Sequence, residues 1–313
     1  MKNKVVEYSS YLYFLLSRFF QQLHRYDYPD VNNGWLKYSK DPVFGDLLTG
    51  SVFDPYVLQM DDKFYMFVSE RNNNSIIRIE SRDGINWEDV KTVIGPKTGT
   101  WQSKVNRGCV LKSGGVWHMW YTGQTRYNSC IGHTTSIDGI HFENADSPCI
   151  IPTMSNEGVS VMNPCVLWDE ETNLFKMWYA AGDNFEPDAL FYAESLDGKS
   201  WKKQTEPVLT KNPCHKWELA KVGGCHILKR DKKYEMYYIG YQNPHVARIC
   251  YAYSVDGIHW YRPDNNLLIG PTRKGFDLDA TYKPTVVDNN GKLYMWYNGR
   301  SGNVEYIGLA IKQ

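Results

Sequence analysis

The sequence has no excess of charge of either sign, because 35 lysines and arginines balance 35 aspartates and glutamates among its 313 residues. Domains that bind nucleic acid usually carry a marked surplus of basic residues. The composition therefore gives no reason to expect a nucleic-acid partner. No low-complexity tract interrupts residues 35–313, which favours a single domain over that range.

The sequence also lacks the usual signatures of bound metals and cofactors. It contains no Cys-x-x-Cys pair and no glycine-rich phosphate loop, and His118, His226 and His245 do not have the spacing of a ligand set. The seven cysteines are odd in number, and several lie in strand-like segments, which is typical of reduced thiols in a cytoplasmic protein. We expect neither a cofactor nor a metal ion.

The chain begins with a segment of different character. Residues 1–24 carry apolar side chains at helical spacing with basic residues around them, and the apolar run at residues 11–16 is far shorter than the roughly 20 residues that span a bilayer. We predict a short N-terminal amphipathic helix and a linker over residues 1–34. The helix either packs on the main domain or on a partner subunit, or it lies on a membrane surface and makes the protein peripheral to the inner membrane face.

What the sequence does contain is a repeat, Ser-x-Asp-Gly-x-x-Trp, which occurs four times with phenylalanine as the last residue of the second copy. Asp-Gly between strand-like runs predicts a hairpin, because the turn needs a positive φ that glycine adopts without strain. The four copies begin at Ser81, Ser136, Ser195 and Ser254.

Each predicted hairpin belongs to a longer unit. Upstream of it lies an aromatic strand, and further upstream lies a run of small and β-branched residues that is also typical of strands. A fifth copy of the aromatic strand, residues 293–297, has no Asp-Gly after it. Five such units predict an all-β, five-bladed β-propeller of four-stranded blades over residues 35–313. Residues 35–44 have the pattern of an outer strand, so we predict that this N-terminal strand completes the fifth blade and closes the ring.

The first strands of the blades line the axis of a propeller, so equivalent positions in them should converge on one pocket. The aligned residues are Asp54, Arg107, Asn163, Gly224 and Lys283. Positions three and six residues upstream add Lys104 and Lys221, and Trp101, Glu157, Glu218 and Asp277. Any one of these charges could form a salt bridge between blades, but the convergence of so many polar residues indicates a functional pocket.

The five units, the repeat and the Asp54-Pro55 opening of the first unit resemble the five-bladed glycoside hydrolases, the superfamily of families 32, 43, 62, 68, 117 and 130. Residues 217–224, Trp-Glu-Leu-Ala-Lys-Val-Gly-Gly, are similar to the Trp-Glu-x-x-Lys-Ile-Gly-x-Gly stretch of the family 130 mannoside phosphorylases and hydrolases. The resemblance implies a carbohydrate substrate and cleavage of a glycosidic bond in the central pocket.

The resemblance also implies roles for individual residues. Asp54 matches the catalytic base of the family 43 pattern, whereas Arg107 and Asn163 stand where that family has an aspartate and a glutamate. Inverting hydrolysis needs a second carboxyl as general acid, about 6.5–9.5 Å from the first. Glu218 and Asp277, together with Glu157, are the candidate replacements, and Glu218 has the best local match.

Four cations on the predicted axis leave two interpretations open. They form a structural network with the neighbouring carboxylates, or they bind a phosphate or diphosphate, since arginine grips phosphate with paired hydrogen bonds and lysine adds charge. The four cations are Lys104, Arg107, Lys221 and Lys283. In the same way Trp101, Trp217 and Tyr282 either stack on a sugar ring or wedge neighbouring blades.

Three functions therefore remain open on sequence grounds. The first is a glycosidase-like enzyme, with Asp54 as base and Glu218 as acid. The second is glycosyl transfer to or from phosphate or a phosphorylated donor, including a nucleotide sugar. The third is a non-catalytic glycan-binding propeller, which the missing second carboxylate of the family 43 pattern motivates.

Overall fold

The computed structural model describes residues 20, 23–45, 50–183 and 187–313, and within them the chain is a five-bladed, all-β propeller. Blade one consists of β2 (Val52–Met60), β3 (Lys63–Glu70), β4 (Ser75–Ser81) and β5 (Glu88–Ile94). Blade two consists of β6 (Lys104–Ser113), β7 (Val116–Gln124) and β8 (Ser129–Ser136). Blade three consists of β9 (Ser160–Asp169), β10 (Leu174–Gly182), β11 (Ala189–Ser195) and β12 (Lys202–Lys203).

Blade four consists of β13 (Lys221–Arg230), β14 (Lys233–Asn243), β15 (Val246–Ser254) and β16 (Leu267–Ile269). Blade five consists of β17 (Ala280–Asn289), β18 (Lys292–Ser301) and β19 (Val304–Lys312), with β1 (Trp35–Lys37) beside β19. All paired strands are antiparallel, and the first strands contact one another in the order β2, β6, β9, β13, β17 and back to β2. Three short 3₁₀ turns accompany the strands, at His24–Tyr26, Ser155–Glu157 and Lys216–Glu218.

The prediction of five blades is confirmed, but blade two has three strands rather than the four predicted. The chain after β8 makes a single bridge back to the blade, between Ile150 and Ile131. Upstream of that bridge, the Ala145 carbonyl oxygen accepts a 2.7 Å hydrogen bond from Gln102 Nε2, and the Ala145 amide donates at 3.0 Å to the Tyr121 hydroxyl. These bonds hold the segment as a loop where a fourth strand would otherwise run.

The Asp-Gly turns have the predicted geometry and also join neighbouring blades. Their glycines have φ between 71° and 80°, values that suit glycine best. In three of the four turns the glycine carbonyl oxygen accepts a hydrogen bond from an indole of the preceding blade, as from Trp296 to Gly84 at 2.8 Å. The same bond joins Trp120 to Gly198 and Trp178 to Gly257. In the fourth turn Gly139 accepts from Arg78 at 3.1 Å. Each turn is therefore fixed by the blade beside it.

The first strands carry β-bulges at equivalent places, and these bulges position the axial side chains. Four of the bulged residues have left-handed backbones, with φ of 56° at Asp54, 58° at Arg107, 54° at Asn163 and 47° at Lys283. A side chain of the preceding blade accepts the bulge amide, for example Asn298 Oδ1 at 2.7 Å from the Asp54 nitrogen. Bulges re-aim side chains, and here they present four polar residues to the axis.

The strand β1 pairs with the last strand of the chain. Trp35 lies opposite Lys312, and a further bridge joins Phe44 to Ile307. The indole of Trp35 is 2% exposed and contacts the Tyr237 ring at 6.2 Å between centroids. The outermost position of blade five is therefore occupied by residues from the start of the described chain.

The predicted amphipathic helix falls almost wholly on residues 1–22, which lie outside the described part of the chain apart from Phe20. The segment that follows is fixed to blades four and five. Buried Arg248 donates hydrogen bonds to the carbonyl oxygens of His24 and Arg25, at 3.1 and 2.9 Å. Arg25 in turn forms an ion pair with Asp279 at 2.5 Å. Among the residues that the structure describes, no helix has the length and apolarity needed to cross a membrane.

A pair of histidines in blade two, half-buried His118 and buried His133, makes stability depend on pH. His118 Nδ1 lies 3.1 Å from His133 Nε2, and burial lowers the pKa of His133 to about 4. A histidine with a lowered folded-state pKa stabilises the fold above its unfolded value near 6.5, and this contribution is lost as the pH falls towards 4. We expect the free energy of unfolding, measured in urea, to fall by roughly 2–3 kcal/mol more across this window in the wild type than in His133→Gln. His141→Gln, which changes an exposed histidine, is the control. Equal pH slopes in wild type and His133→Gln would contradict the expectation.

Candidate active site

A cavity of about 830 Å³ opens at the end of the axis where the first strands begin and the second strands end. Such a volume is typical of small-ligand sites. Its polar lining comes from blades one, two, three and five, and its more apolar wall from blade four. The polar and aromatic members are Asp54, Glu70, Arg71, Asn74, Lys104, Asn106, Arg107, Gln124, Asn163, Tyr241, His245, Tyr282, Arg300, Asn303 and Glu305.

Asp54 lies in the floor of the cavity. It is 5% exposed, and its Oδ2 atom has no hydrogen-bond partner in the described structure, although Arg107 Nε lies 3.3 Å away in an ion pair. Oδ2 is therefore held by a charge contact and not by a hydrogen bond, so its capacity to accept a hydrogen bond is unused. Burial raises the pKa of Asp54 above its ordinary value, while the nearby charges of Arg107 and Lys283 lower it.

Amide groups complete the floor beside Asp54. Asn106 Oδ1 and Asn163 Oδ1 are buried without hydrogen-bond partners, and both residues line the cavity. Gly224 faces Asn163, since a Cβ at that glycine would lie 2.9 Å from Asn163 Nδ2. A buried polar atom without a partner is costly. These acceptors therefore suit the hydroxyl groups of a bound sugar.

One wall of the cavity is a closed polar network around Glu305. This carboxylate accepts hydrogen bonds from Arg71 and from the hydroxyl of Tyr282, and it is 7% exposed. Burial and the neighbouring carboxylate raise the pKa of Tyr282 well above its ordinary value. Tyr282 therefore stays protonated and donates to Glu305.

The structure brings five of the predicted site residues to the cavity and leaves six away from it. Those that line it are Asp54, Lys104, Arg107, Asn163 and Tyr282. Lys221 lies over the Tyr241 ring at 4.9 Å, and Lys283 is buried beneath the floor, near enough to lower the pKa of Asp54.

The two predicted tryptophans pack against neighbouring side chains and do not line the cavity. Trp101 stacks on Tyr121 with ring centroids 6.0 Å apart. Trp217 lies between Tyr28 and His215, and its indole donates a 2.7 Å hydrogen bond to Asn266. Both tryptophans are therefore occupied by packing contacts and are not placed to stack on a sugar ring in the cavity.

The structure places the candidate acids Glu218 and Asp277 away from the cavity, as buried residues that accept hydrogen bonds inside their blades. Glu218 is completely buried and accepts hydrogen bonds from the hydroxyl of Tyr238 at 2.7 Å and from Asn266 at 3.2 Å. Asp277 is 1% exposed and accepts from Lys37 at 2.7 Å and from Tyr297 at 3.2 Å. Neither residue lines the cavity.

The same anchor recurs in two other blades. Glu157 accepts from the hydroxyl of Tyr179 at 2.8 Å, and Gln102 accepts from that of Tyr121. In blades three to five the acid six residues before the bulge position thus binds the tyrosine of the second strand in its own blade, and Gln102, five residues before the bulge of blade two, does the same. These side chains are occupied by contacts inside the blade, which is the physical reason that they do not line the cavity.

Some lining residues were not candidates on sequence grounds, and Glu305 is the main one. It begins the third strand of blade five and pairs in register with Arg300. A charged residue at the start of a third strand, opposite an arginine that ends the second, is the signal that could have found it. Glu70, Arg71 and Arg300, which end second strands or follow them, also line the cavity.

No group of three or more histidine, cysteine, aspartate or glutamate side chains in the described residues has the arrangement of a metal site. The cavity chemistry is instead that of one ion-paired carboxylate oxygen that accepts no hydrogen bond, unpartnered amide oxygens and several cations. This donor and acceptor set can orient a polyhydroxylated ligand and exchange a proton with it.

Comparison with known proteins agrees with the propeller fold. The fold is similar to the structure of a BT0996–RGII complex, with a TM-score of 0.75 and 20% identity over 94% of this protein and 95% of that one. It is also similar to an exo-1,5-alpha-L-arabinanase from a bovine ruminal metagenomic library, with a TM-score of 0.65 and 16% identity over 86% and 95% of the two proteins. At these identities the likeness shows the fold alone.

Sequence comparison identifies a similar protein and a matching family. The uncharacterized protein Rv1502 of Mycobacterium tuberculosis (strain ATCC 25618 / H37Rv) is 24% identical over 218 residues, which are 66% of this chain and 71% of that protein. The family model of glycosyl hydrolases family 43 matches residues 46–255, more than half of the chain. The chain therefore belongs to glycosyl hydrolases family 43.

Proposed function

We propose that the protein cleaves a glycosidic bond in the central cavity, with Asp54 as the catalytic base or the carboxylate that orients the substrate. The observation that carries the proposal is the unpartnered Oδ2 atom of Asp54, which is buried at the cavity floor by a left-handed bulge. Family 43 membership supports the reaction class, and the arabinanase and the RGII complex among the similar structures support a carbohydrate substrate.

Besides Asp54, the carboxylates that line the described cavity are Glu70 and Glu305, and both are candidates for the general acid. Glu305 is already paired with the cation Arg71 and accepts from the hydroxyl of Tyr282. Within the described residues, Glu70 accepts from the neutral side chains of Ser75 and Asn73, each at 3.0 Å. A carboxyl held by neutral donors suits a proton donor better than one paired with arginine. We therefore give the acid's part to Glu70.

A panel of oligosaccharides tests the proposed reaction. Purified protein is incubated with arabino-, xylo-, manno- and uronic-acid-containing oligosaccharides, and the products are separated by anion-exchange chromatography. We expect reducing sugars to appear from at least one of them, with loss of that activity in Glu70→Gln and Asp54→Asn. Cleavage that is unchanged in both variants would contradict the assignment of these residues.

Transfer to or from phosphate is a second candidate, because Arg71, Lys104, Arg107 and Arg300 line the same cavity. A ligand that binds the folded state raises the melting temperature by mass action. If this candidate is right, millimolar phosphate or a sugar 1-phosphate raises the melting temperature by about 2–5 °C, and the shift disappears in Arg107→Ala. Equal shifts in wild type and Arg107→Ala would rule out Arg107 as a phosphate ligand. Binding of neutral glycans without any turnover would instead favour a non-catalytic glycan-binding propeller.

We also propose that residues 35–44 close the ring of blades. The pairing of β1 with β19 and the burial of Trp35 support this. Truncating a buried tryptophan costs about 3–5 kcal/mol, so Trp35→Ala should lower the free energy of unfolding by that amount, measured in urea. Exposed Leu36, on the same strand, serves as the control. A Trp35→Ala loss no larger than that of Leu36→Ala would contradict closure.

Peripheral membrane contact by residues 1–24 and a cytoplasmic location stay predictions. The fixed segment at His24 and Arg25 would hold such a contact beside blades four and five. Sedimentation with anionic lipid vesicles tests it, and equal sedimentation of the full chain and a chain lacking residues 1–22 would refute it.

A further inference from the structure

The charges along the cavity wall do not balance. The chain as a whole is neutral, but the described lining carries four cations, Arg71, Lys104, Arg107 and Arg300, against three carboxylates, Asp54, Glu70 and Glu305. Lys283 lies buried just beneath the floor and is close enough to act on Asp54. The cavity therefore has a positive potential within a neutral protein.

Two of the four lining cations are already matched by carboxylates. Arg71 forms an ion pair with Glu305, and Arg107 forms one with Asp54 at 3.3 Å. Structural charge pairing accounts for these two arginines. They hold the wall and the floor in place.

Lys104 and Arg300 are different. Neither forms an ion pair with a carboxylate in the described residues, and Arg300 instead donates a 3.0 Å hydrogen bond to the carbonyl oxygen of His245. Lys104 is exposed at the first position of β6, where it pairs with Gln124 at the cavity edge. Like charges around one cavity repel unless an anion answers them. Among the described residues, the third lining carboxylate, Glu70, forms no ion pair with either of these cations and accepts from Ser75 and Asn73 instead.

We propose that the glycoside bound in this cavity carries an acidic group, a carboxylate or a phosphate, and that Lys104 and Arg300 are the cations that receive it. The inference rests on the proposed function, since it names the substrate class of the same site. Asp54 and the floor amides would bind the hydroxyl groups, while the two cations bind the acidic group. Arginine and lysine form charge-assisted hydrogen bonds with such oxygens, and these are stronger than bonds between neutral groups.

Matched ligand pairs test the inference by titration calorimetry and by a cleavage assay. One pair is a uronic acid disaccharide and its carboxyl-reduced, neutral counterpart, and the other is glucose 1-phosphate and glucose. We expect the acidic member of at least one pair to bind at least tenfold more tightly. The difference should shrink at 0.5 M sodium chloride because salt screens exposed charges.

Variants locate the effect within the cavity. Lys104→Met and Arg300→Met should each weaken binding of the acidic ligand about tenfold and leave the neutral ligand unchanged. Lys112→Met is the matched control, since Lys112 is an exposed lysine on the same strand β6 but towards its other end. A preference for the uronate or for the phosphate would each support the inference and identify the acidic group.

The opposite outcomes are separable. Equal binding and cleavage of the acidic and neutral disaccharides would overturn the inference and leave the proposed glycosidase function standing. Tight binding of the acidic ligand without any cleavage would support the inference and count against the proposed reaction. A tenfold loss in Lys112→Met as large as that in Lys104→Met would overturn the assignment of Lys104.

Discussion

Asp54→Asn is expected to lose about 10²–10⁴-fold in kcat/KM, the range associated with one general base, while the protein remains folded. Asparagine has the same shape and tolerates the left-handed φ of 56° at this position. It cannot accept the proton, so the effect should fall on the chemical step. The measurement is kcat/KM on the oligosaccharide identified by the product assay, with thermal unfolding as a check of the fold.

A matched control lies at the other end of the same strand. Asp61 follows β2 in an exposed turn with φ of 50°, so Asp61→Asn makes the same chemical change at a similar backbone. We expect it to keep full activity. If Asp54→Asn were as active as Asp61→Asn, Asp54 would be neither the base nor the residue that orients the substrate.

The pH profile gives the same assignment a second readout. Burial raises the pKa of Asp54, so the deprotonated base is present only above a pH higher than that of an ordinary aspartate. The acidic limb of kcat/KM should therefore rise at a higher pH than the ordinary value near 3.9. Because Arg107 lowers this pKa, Arg107→Met should move the limb to still higher pH. A limb that moved downward would contradict the ion pair.

Glu218→Ala is expected to destabilise the protein by about 3–5 kcal/mol, without any specific defect in catalysis. Breaking a buried charge network by removal of one partner has this magnitude, and Glu218 is fully buried with Tyr238, Asn266 and Arg262 around it. The free energy of unfolding in urea measures the loss. Activity is compared per folded molecule, so that a loss of stability is not mistaken for a loss of catalysis.

The corresponding contact in blade two suggests the control variant. Gln102 occupies the equivalent place and accepts from Tyr121 in the same way. Glu218→Gln should therefore be tolerated much better than Glu218→Ala and should keep near-normal kcat/KM. A folded Glu218→Gln protein that lost more than 10²-fold in kcat/KM would restore Glu218 as the general acid.

The sequence was sufficient for the architecture because each blade repeats the same local chemistry. The Asp-Gly turns and aromatic strands predict five blades, and alignment of the repeats predicts which residues reach the axis. The missing strand of blade two was not predictable from the repeat, since Ser136-Ile-Asp-Gly there looks like the other copies. What removes the strand is the bonding of Ala145 to Gln102 and Tyr121, a contact between distant parts of the chain.

The structure places the predicted acids away from the cavity, which shows where the alignment of repeats was insufficient. The alignment put Glu157, Glu218 and Asp277 at one equivalent position but did not show which way they face. A signal was present, because blades three to five have an acid at that position and a tyrosine in the second strand, and blade two has a tyrosine with Gln102 one residue later, whereas blade one has Leu48 and Val68. An acid or amide that occurs together with a tyrosine indicates a contact between the two inside the blade. Glu305 was missed because the alignment covered positions in and before the first strands, whereas Glu305 lies on a third strand.

The left-handed bulges at the axis have a thermodynamic consequence. Arg107 and Lys283 adopt φ of 58° and 47°, and long side chains in this region cost on the order of 1 kcal/mol relative to glycine. Blade four has Gly224 at the corresponding place in the alignment. A propeller with glycine or asparagine at positions 107 and 283 would therefore relieve backbone strain, so the present chain gives up part of its folding stability to keep two positive charges beside Asp54.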